Sequence, residues 1–171
     1  MKSFMTILSI FILMFNSNFV KAETSGLFIG NSFTCGSAAK YYRADSVTDL
    51  NNEGIGGVPA LFKSFTQQAG LNYDVYLETK SGSALDFHLE NKSAEVSIQA
   101  SDQLVTHGFS TLDSNKLGDP TLLVETAVKM SSFLQQLNQN AEVFLSATWS
   151  RANLVCKVNR HWLFTHIEKW H

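Results

Sequence analysis

The sequence predicts an α/β fold with a parallel sheet covered on both faces, and three observations lead to this prediction. Short apolar runs alternate with longer segments of helical periodicity along the chain. The first run, residues 27–30, stops at a glycine, and the longest helical segment, residues 121–137, carries one broad apolar face. Strands separated by helices need crossover connections, and right-handed crossovers bury both faces of a parallel sheet.

Each predicted element follows from its own pattern. Apolar residues of 58–69 recur at helical spacing, and Tyr73, Val75 and Leu77 alternate as in a strand. The predicted order is strand 27–30, helix 58–69, strand 72–78, short helix 83–89, strand 103–106, helix 121–137 and strand 141–147.

Polar or small residues come directly after four of these strands. They are Ser32, Ser81 with Gly82, His107 with Gly108, and Thr148 with Trp149. Parallel strands bring their carboxyl ends to one edge of the sheet, where α/β proteins bind ligands. We therefore expect these residues to lie close together. A serine at this edge is either a nucleophile, if a base lies within reach, or a turn residue that caps a helix.

The first 22 residues have the layout of a secretory signal peptide. Lys2 precedes an apolar stretch over residues 4–15, and Val20-Lys21-Ala22 is an acceptable cleavage site. The apolar stretch is short for a membrane span, although an uncleaved anchor is the alternative. We expect a mature chain that begins at Glu23 and is periplasmic or secreted.

Composition excludes some functions. The net charge of -2 provides no basic surface for nucleic acid. The five histidines and two cysteines do not have the spacing of a metal site. Cys35 and Cys156 can form a disulfide in an exported protein, although two unpaired, partly buried thiols are the favoured alternative. The length of the mature chain fits one domain, residues 23–171.

Several blocks resemble the SGNH (GDSL-like) hydrolases. Gly30-Asn31-Ser32-Phe33-Thr34 is similar to the first block of that family, in the variant with Asn before the Ser. Further similar segments follow in the family's order through nearly all of the mature chain: 56–62, 77–82, 88–92, 110–120 and 147–152.

The resemblance implies a flavodoxin-like three-layer α/β/α sandwich that hydrolyses ester bonds of a small molecule or glycan without metal or cofactor. It implies Ser32 as the nucleophile and the backbone N–H groups of Ser32 and Gly82 as oxyanion donors. The side-chain oxyanion donor of the family aligns with His107, which is either a substitute donor or an incidental replacement. Trp149 and Arg151 are candidates to line the substrate site, with structural packing as the alternative. Asn31 is a further candidate, with a structural role in holding the turn as the favoured alternative.

The closing Asp/His block of the family has no counterpart in the sequence. No Asp occurs after Asp119, and the remaining candidate bases are the histidines at 88, 107, 161, 166 and 171. The resemblance therefore covers roughly the first two-thirds of such a domain. Two functions follow: an exported serine esterase, or a truncated and inactive relative that at most binds a ligand.

Overall fold

The computed structural model describes residues 23–148 apart from 114 and 117. The helices and strands of this part follow in the order β1 (Thr24–Gly30), α1 (Ser32–Cys35), a 3-10 turn (Ala44–Ser46), β2 (Thr48–Asp49), α2 (Gly57–Gln68), β3 (Tyr73–Thr79), α3 (Leu85–Asn91), α4 (Ser93–Ser97), β4 (Gln103–Thr106), α5 (Thr121–Leu137) and β5 (Glu142–Leu145). The predicted signal peptide over residues 1–22 lies outside the described residues.

The strands form one parallel sheet, as predicted. Across the described residues its order is β2-β3-β1-β4-β5, and every pairing between neighbouring strands is parallel. The central strand β1 therefore lies between β3 and β4. The sequence prediction missed β2, which has only two residues and no apolar pattern.

Helices cover both faces of the sheet, which makes the fold a three-layer α/β/α sandwich. Successive residues of β1 point to opposite faces. Leu27 and Ile29 pack in one core with α3 and α5, while Phe28 packs in the other with residues of β3 and with Phe62 of α2. The alternation of apolar residues in the central strand thus supplies both cores.

The predicted bounds of some elements were wrong. Strand β1 begins at Thr24, three residues early, because its polar start pairs in register with β3 from Tyr73. Helix α3 begins at Leu85 after a turn, where we expected a helix from residue 83. Strand β5 ends at Leu145, short of residue 147. Polar and small residues carry little periodicity, so these ends depend on pairing that the sequence pattern does not contain.

The layers create a crevice beside the end of β1. The chain leaves β1 toward β3 through α2 on one face, whereas α3 and α5 flank β4 on the other face. Neighbouring strands whose helices lie on opposite faces define the switch point of an open α/β sheet, where ligands bind. In this chain that point lies between the carboxyl ends of β1 and β4.

Candidate active site

Ser32 stands on a tight turn at the carboxyl end of the central strand. β1 ends at Gly30, and the helix α1 begins at Ser32. Asn31 caps this helix, because its side-chain oxygen accepts a hydrogen bond from the Phe33 N–H over 3.1 Å. Ser32 itself is exposed. The first residues of a helix leave their N–H groups without a partner in the helix, so this position presents a hydroxyl and a backbone donor together.

A second turn, Lys80 to Ser83, lies beside the first. Gly82 has a φ of 77°, which favours glycine, and it is exposed. Two hydrogen bonds join the turns: the Lys80 N–H donates to the Gly30 carbonyl over 3.0 Å, and the Asn31 amide donates to the Ser83 carbonyl over 2.9 Å. The structure therefore places the turn that carries Gly82 next to the turn that carries Ser32.

Asn31 is almost completely buried, at 3% exposure. Its amide oxygen accepts from Phe33 and its amide nitrogen donates to Ser83. Both polar atoms are therefore engaged within the protein, and the side chain holds the two turns together.

His107 follows β4 and closes the site on its other side. Its Nδ1 lies 2.9 Å from the Gly108 carbonyl, and its Nε2 lies 2.8 Å from the Thr34 hydroxyl. A carbonyl oxygen only accepts, so Nδ1 carries the proton and Nε2 accepts from Thr34. Burial lowers the pKa of His107 below its usual 6.5, against an opposing effect of the Gly108 carbonyl. The neutral ring in this tautomer uses both nitrogens inside the protein.

The approach of His107 to the serine turn requires a glycine at position 30. A Cβ built on Gly30 would come within 2.5 Å of His107 Nε2 and would also collide with the Thr34 hydroxyl. The His107 ring further packs edge-on against Phe33, with ring centroids 6.0 Å apart. The glycine that ends the apolar run thus allows the ring to reach the turn.

A small, shallow groove lies on the face of the sheet that α3 and α5 cover. It is bordered by the first residues of α3, the loop after His107 and the start of α5, and its lining includes Ala84, Gly108, Phe109, Leu112 and Leu123. The lining is mostly apolar and lies close in sequence to both Gly82 and His107.

The sequence prediction missed a buried polar cluster behind the second turn. Glu78 of β3 and His88 of α3 have 0% and 1% exposure and hydrogen-bond to each other. His88 also contacts the Ser83 hydroxyl over 2.8 Å. The one signal in the sequence is a charged residue inside the otherwise apolar end of a strand, because unpaired charges are rarely buried.

Some predicted site residues lie outside the described residues: Trp149, Arg151 and the candidate disulfide partner Cys156. Cys35 is buried in α1. In residues 23–148, except 114 and 117, no group of three His, Cys, Asp or Glu could hold a metal ion. The histidines of this part, His88 and His107, are both buried and hydrogen-bonded to groups other than Ser32. The described residues therefore do not supply an evident base for Ser32.

Neither a protein-family model nor a curated protein matches this chain. Solved structures do match it. A TesA crystal structure aligns with a TM-score of 0.56 and 17% identity over 77% of this chain and 64% of its own. The Clostridium thermocellum family 3 carbohydrate esterase aligns with a TM-score of 0.56 and 15% identity, over 86% of this chain and 72% of its own. A putative GDSL-like lipase from Parabacteroides merdae aligns with a TM-score of 0.51 and 17% identity, over 72% of this chain and 58% of its own.

These neighbours establish the fold class. The chain has the SGNH-like α/β fold of GDSL-like lipases and carbohydrate esterases, as the sequence predicted. It spans 64% of TesA and 58% of the lipase, less than two-thirds of either. Within the described residues, no helix combines the length and apolar character that crossing a membrane requires.

Proposed function

We propose that this protein is an exported SGNH-type serine esterase that acts on a small-molecule or glycan ester. The observation that carries the proposal is the exposed Ser32 at the switch point of the sheet, joined to the Gly82 turn through the Asn31 amide. The carbohydrate esterase activity of a neighbour with the same fold supports this substrate class.

In the proposed mechanism, the Ser32 hydroxyl passes its proton to a general base and attacks the ester carbonyl. The ester C–O bond breaks, the alcohol leaves with that proton, and water then hydrolyses the acyl-enzyme to the free acid and Ser32. The backbone N–H groups of Ser32 and Gly82 bind the oxyanion, a contribution worth roughly a hundredfold in rate or more for each donor. Trp149 and Arg151 are proposed to contact the rest of the substrate.

Two residues then act on the turns and not on the substrate. Asn31 is proposed to hold the Ser32 and Gly82 turns at their mutual distance. His107 would become a third oxyanion donor only if Nε2 carried a proton and released Thr34. The hydrogen bond from Nδ1 to the Gly108 carbonyl favours the opposite tautomer. We therefore propose His107 as a support of the serine turn.

The general base is the group that separates the two candidate functions. His161, His166 and His171 lie outside the described residues and are the candidates that this sequence offers. If none of them reaches Ser32, the chain would bind a ligand without efficient turnover. A serine triad without its base keeps a rate on the order of a thousandfold above water.

The test is hydrolysis of 4-nitrophenyl acetate and of an acetylated xylo-oligosaccharide by the mature chain. We expect turnover that Ser32→Ala lowers about a hundredfold or more. The control is Ser37→Ala, which removes an exposed hydroxyl just after α1. Equal rates for the wild type and Ser32→Ala would reject the esterase and favour the ligand-binding alternative, with or without a residual rate above water. If the wild type is active, Ala variants of His161, His166 and His171 would identify its general base.

A further inference from the structure

The hydrogen bonds around the buried Glu78–His88 pair determine which of its atoms donate a proton and which accept one. The Ser83 hydroxyl lies 2.7 Å from the Lys80 carbonyl and 2.8 Å from His88 Nε2. The carbonyl can only accept, and a hydroxyl has a single proton to give. The proton of Ser83 therefore points to Lys80, and Nε2 of His88 must donate to the Ser83 oxygen.

Because His88 donates to Ser83, these residues do not form a second nucleophilic triad. Glu78, His88 and Ser83 have the connectivity of an acid, a base and a serine. A base, however, would have to accept the hydroxyl proton, whereas His88 Nε2 is a donor here. Glu78 completes the chain, since its second carboxylate oxygen accepts from the Asn51 amide over 3.2 Å. The cluster therefore orients Ser83 and does not activate it.

The Lys80–Ser83 turn depends on these hydrogen bonds. The Ser83 N–H donates to the Lys80 carbonyl over 3.2 Å, and the Ser83 hydroxyl donates to the same oxygen. Gly82 lies between them with open space where a Cβ would stand. Side-chain packing around that point does not hold the glycine, so its backbone direction follows from the bonds at the two ends of the turn.

We propose that Glu78, His88 and Ser83 are positioning residues that aim the Gly82 N–H at the oxyanion. The inference rests on the proposed esterase function. Glu78 orients the His88 ring, the ring donates to Ser83, and Ser83 closes the turn around Gly82. A buried, hydrogen-bonded Glu–His pair is weak support for stability, and apolar residues of similar volume often replace such a pair without loss. A role in aiming a backbone donor gives this pair a function that apolar packing would not provide.

The test compares four variants of the mature chain in ester hydrolysis and in the amide spectrum of 15N-labelled protein. Ser83→Ala and His88→Gln should each lower kcat about tenfold to a hundredfold with little change in KM. A misaligned donor stabilises the transition state less well, whereas substrate binding does not depend on it. Ser83→Thr keeps the hydroxyl and should restore kcat. Leu134→Ala, a core change in α5, should lower stability and leave kcat unchanged.

The Gly82 amide resonance is the readout that does not need turnover. We expect it to shift in Ser83→Ala and His88→Gln and to stay in place in Leu134→Ala. An unshifted resonance, or an active wild type whose kcat survives both substitutions, would overturn the proposal. An inactive wild type would reject the esterase function alone, and the Gly82 resonance would then decide whether the cluster holds the turn.

Discussion

The side-chain amide of Asn31 donates to the backbone carbonyl of Ser83 over 2.9 Å, and this bond joins the end of β1 to the turn after β3. The two residues are 52 positions apart in the sequence. Together with the backbone bond from Lys80 to Gly30, this buried amide ties the turn of Ser32 to the turn of Gly82. Its removal should affect both stability and any chemistry at this site.

We expect Asn31→Ala to lower the free energy of unfolding by about 1–3 kcal/mol, because it leaves the buried Ser83 carbonyl unpaired and removes a helix cap. Urea unfolding measures the change. Asn91→Ala is the matched control: its amide also donates to a carbonyl, that of Phe87, but at an exposed site. A loss in the control as large as that in Asn31→Ala would contradict the importance of the buried bond.

Gly30→Ala should destabilise the protein by about 1–3 kcal/mol, because the new Cβ collides with Thr34 and His107 and overpacks the site. Gly26→Ala in the same strand is the control, since its Cβ would have no neighbour nearer than 3.8 Å. Chemical denaturation of both variants tests this difference. If the two substitutions had equal effects, the close approach of His107 to the turn would be wrong.

Acid should weaken the fold through His107. Its folded-state pKa lies below the usual 6.5, so the unfolded chain binds more protons near that pH. The resulting contribution to stability is present above 6.5 and is lost as the pH falls through the folded-state pKa. We expect the unfolding free energy of the wild type to fall more between about pH 7.5 and 5 than that of His107→Gln. Parallel pH profiles would refute this assignment.

Asp102, at the opposite end of the sheet, should make stability depend on pH in a second, more acidic range. Its carboxylate accepts from the Ser25 N–H and the Ser25 hydroxyl, each over 2.8 Å. The Ser25 backbone bond comes first among the effects that lower its pKa below 3.8. This contribution to stability is present above 3.8 and is lost as the pH falls through the folded-state pKa.

Asp102→Asn should therefore cost about 1–3 kcal/mol at neutral pH, as for hydrogen bonds to a charged group. Thermal unfolding at pH 7 and at about pH 3 measures the cost, which should shrink in acid as the wild-type carboxylate takes up its proton. Glu125→Gln, an exposed change on α5, should have little effect at either pH. A cost for Asp102→Asn that stays constant with pH would count against an ionised Asp102.

Periodicity was a good guide where apolar residues form the element. The predicted bounds of α5 and β4 agree with the structure: α5 has a broad apolar face, and the weaker signal of β4 consists mostly of Leu104 and Val105. Polar segments gave no such signal. The two-residue strand β2 exists through its pairing with Tyr76 and Leu77 of β3. Such a pairing between distant segments cannot be predicted from the local pattern of either segment.

The site divides in the same way. The end of an apolar strand located Ser32, and the parallel topology brought Gly82 and His107 toward it. The roles of these residues remain proposals. The Glu78–His88 contact could not be predicted, because it joins a strand to a helix through two side chains whose orientation depends on the packing of the layers.

The central position of β1 has a consequence for the order in which the protein folds. Thr24 pairs with Tyr73 and Gly26 with Gln103, separations of 73 − 24 = 49 and 103 − 26 = 77 residues. Pairings between such distant segments form slowly, since the loops between them must first be closed. During synthesis, Ser32 emerges from the ribosome well before Ser83 and His107. The serine turn is therefore made early, but it cannot meet Ser83 and His107 until those residues have also been made.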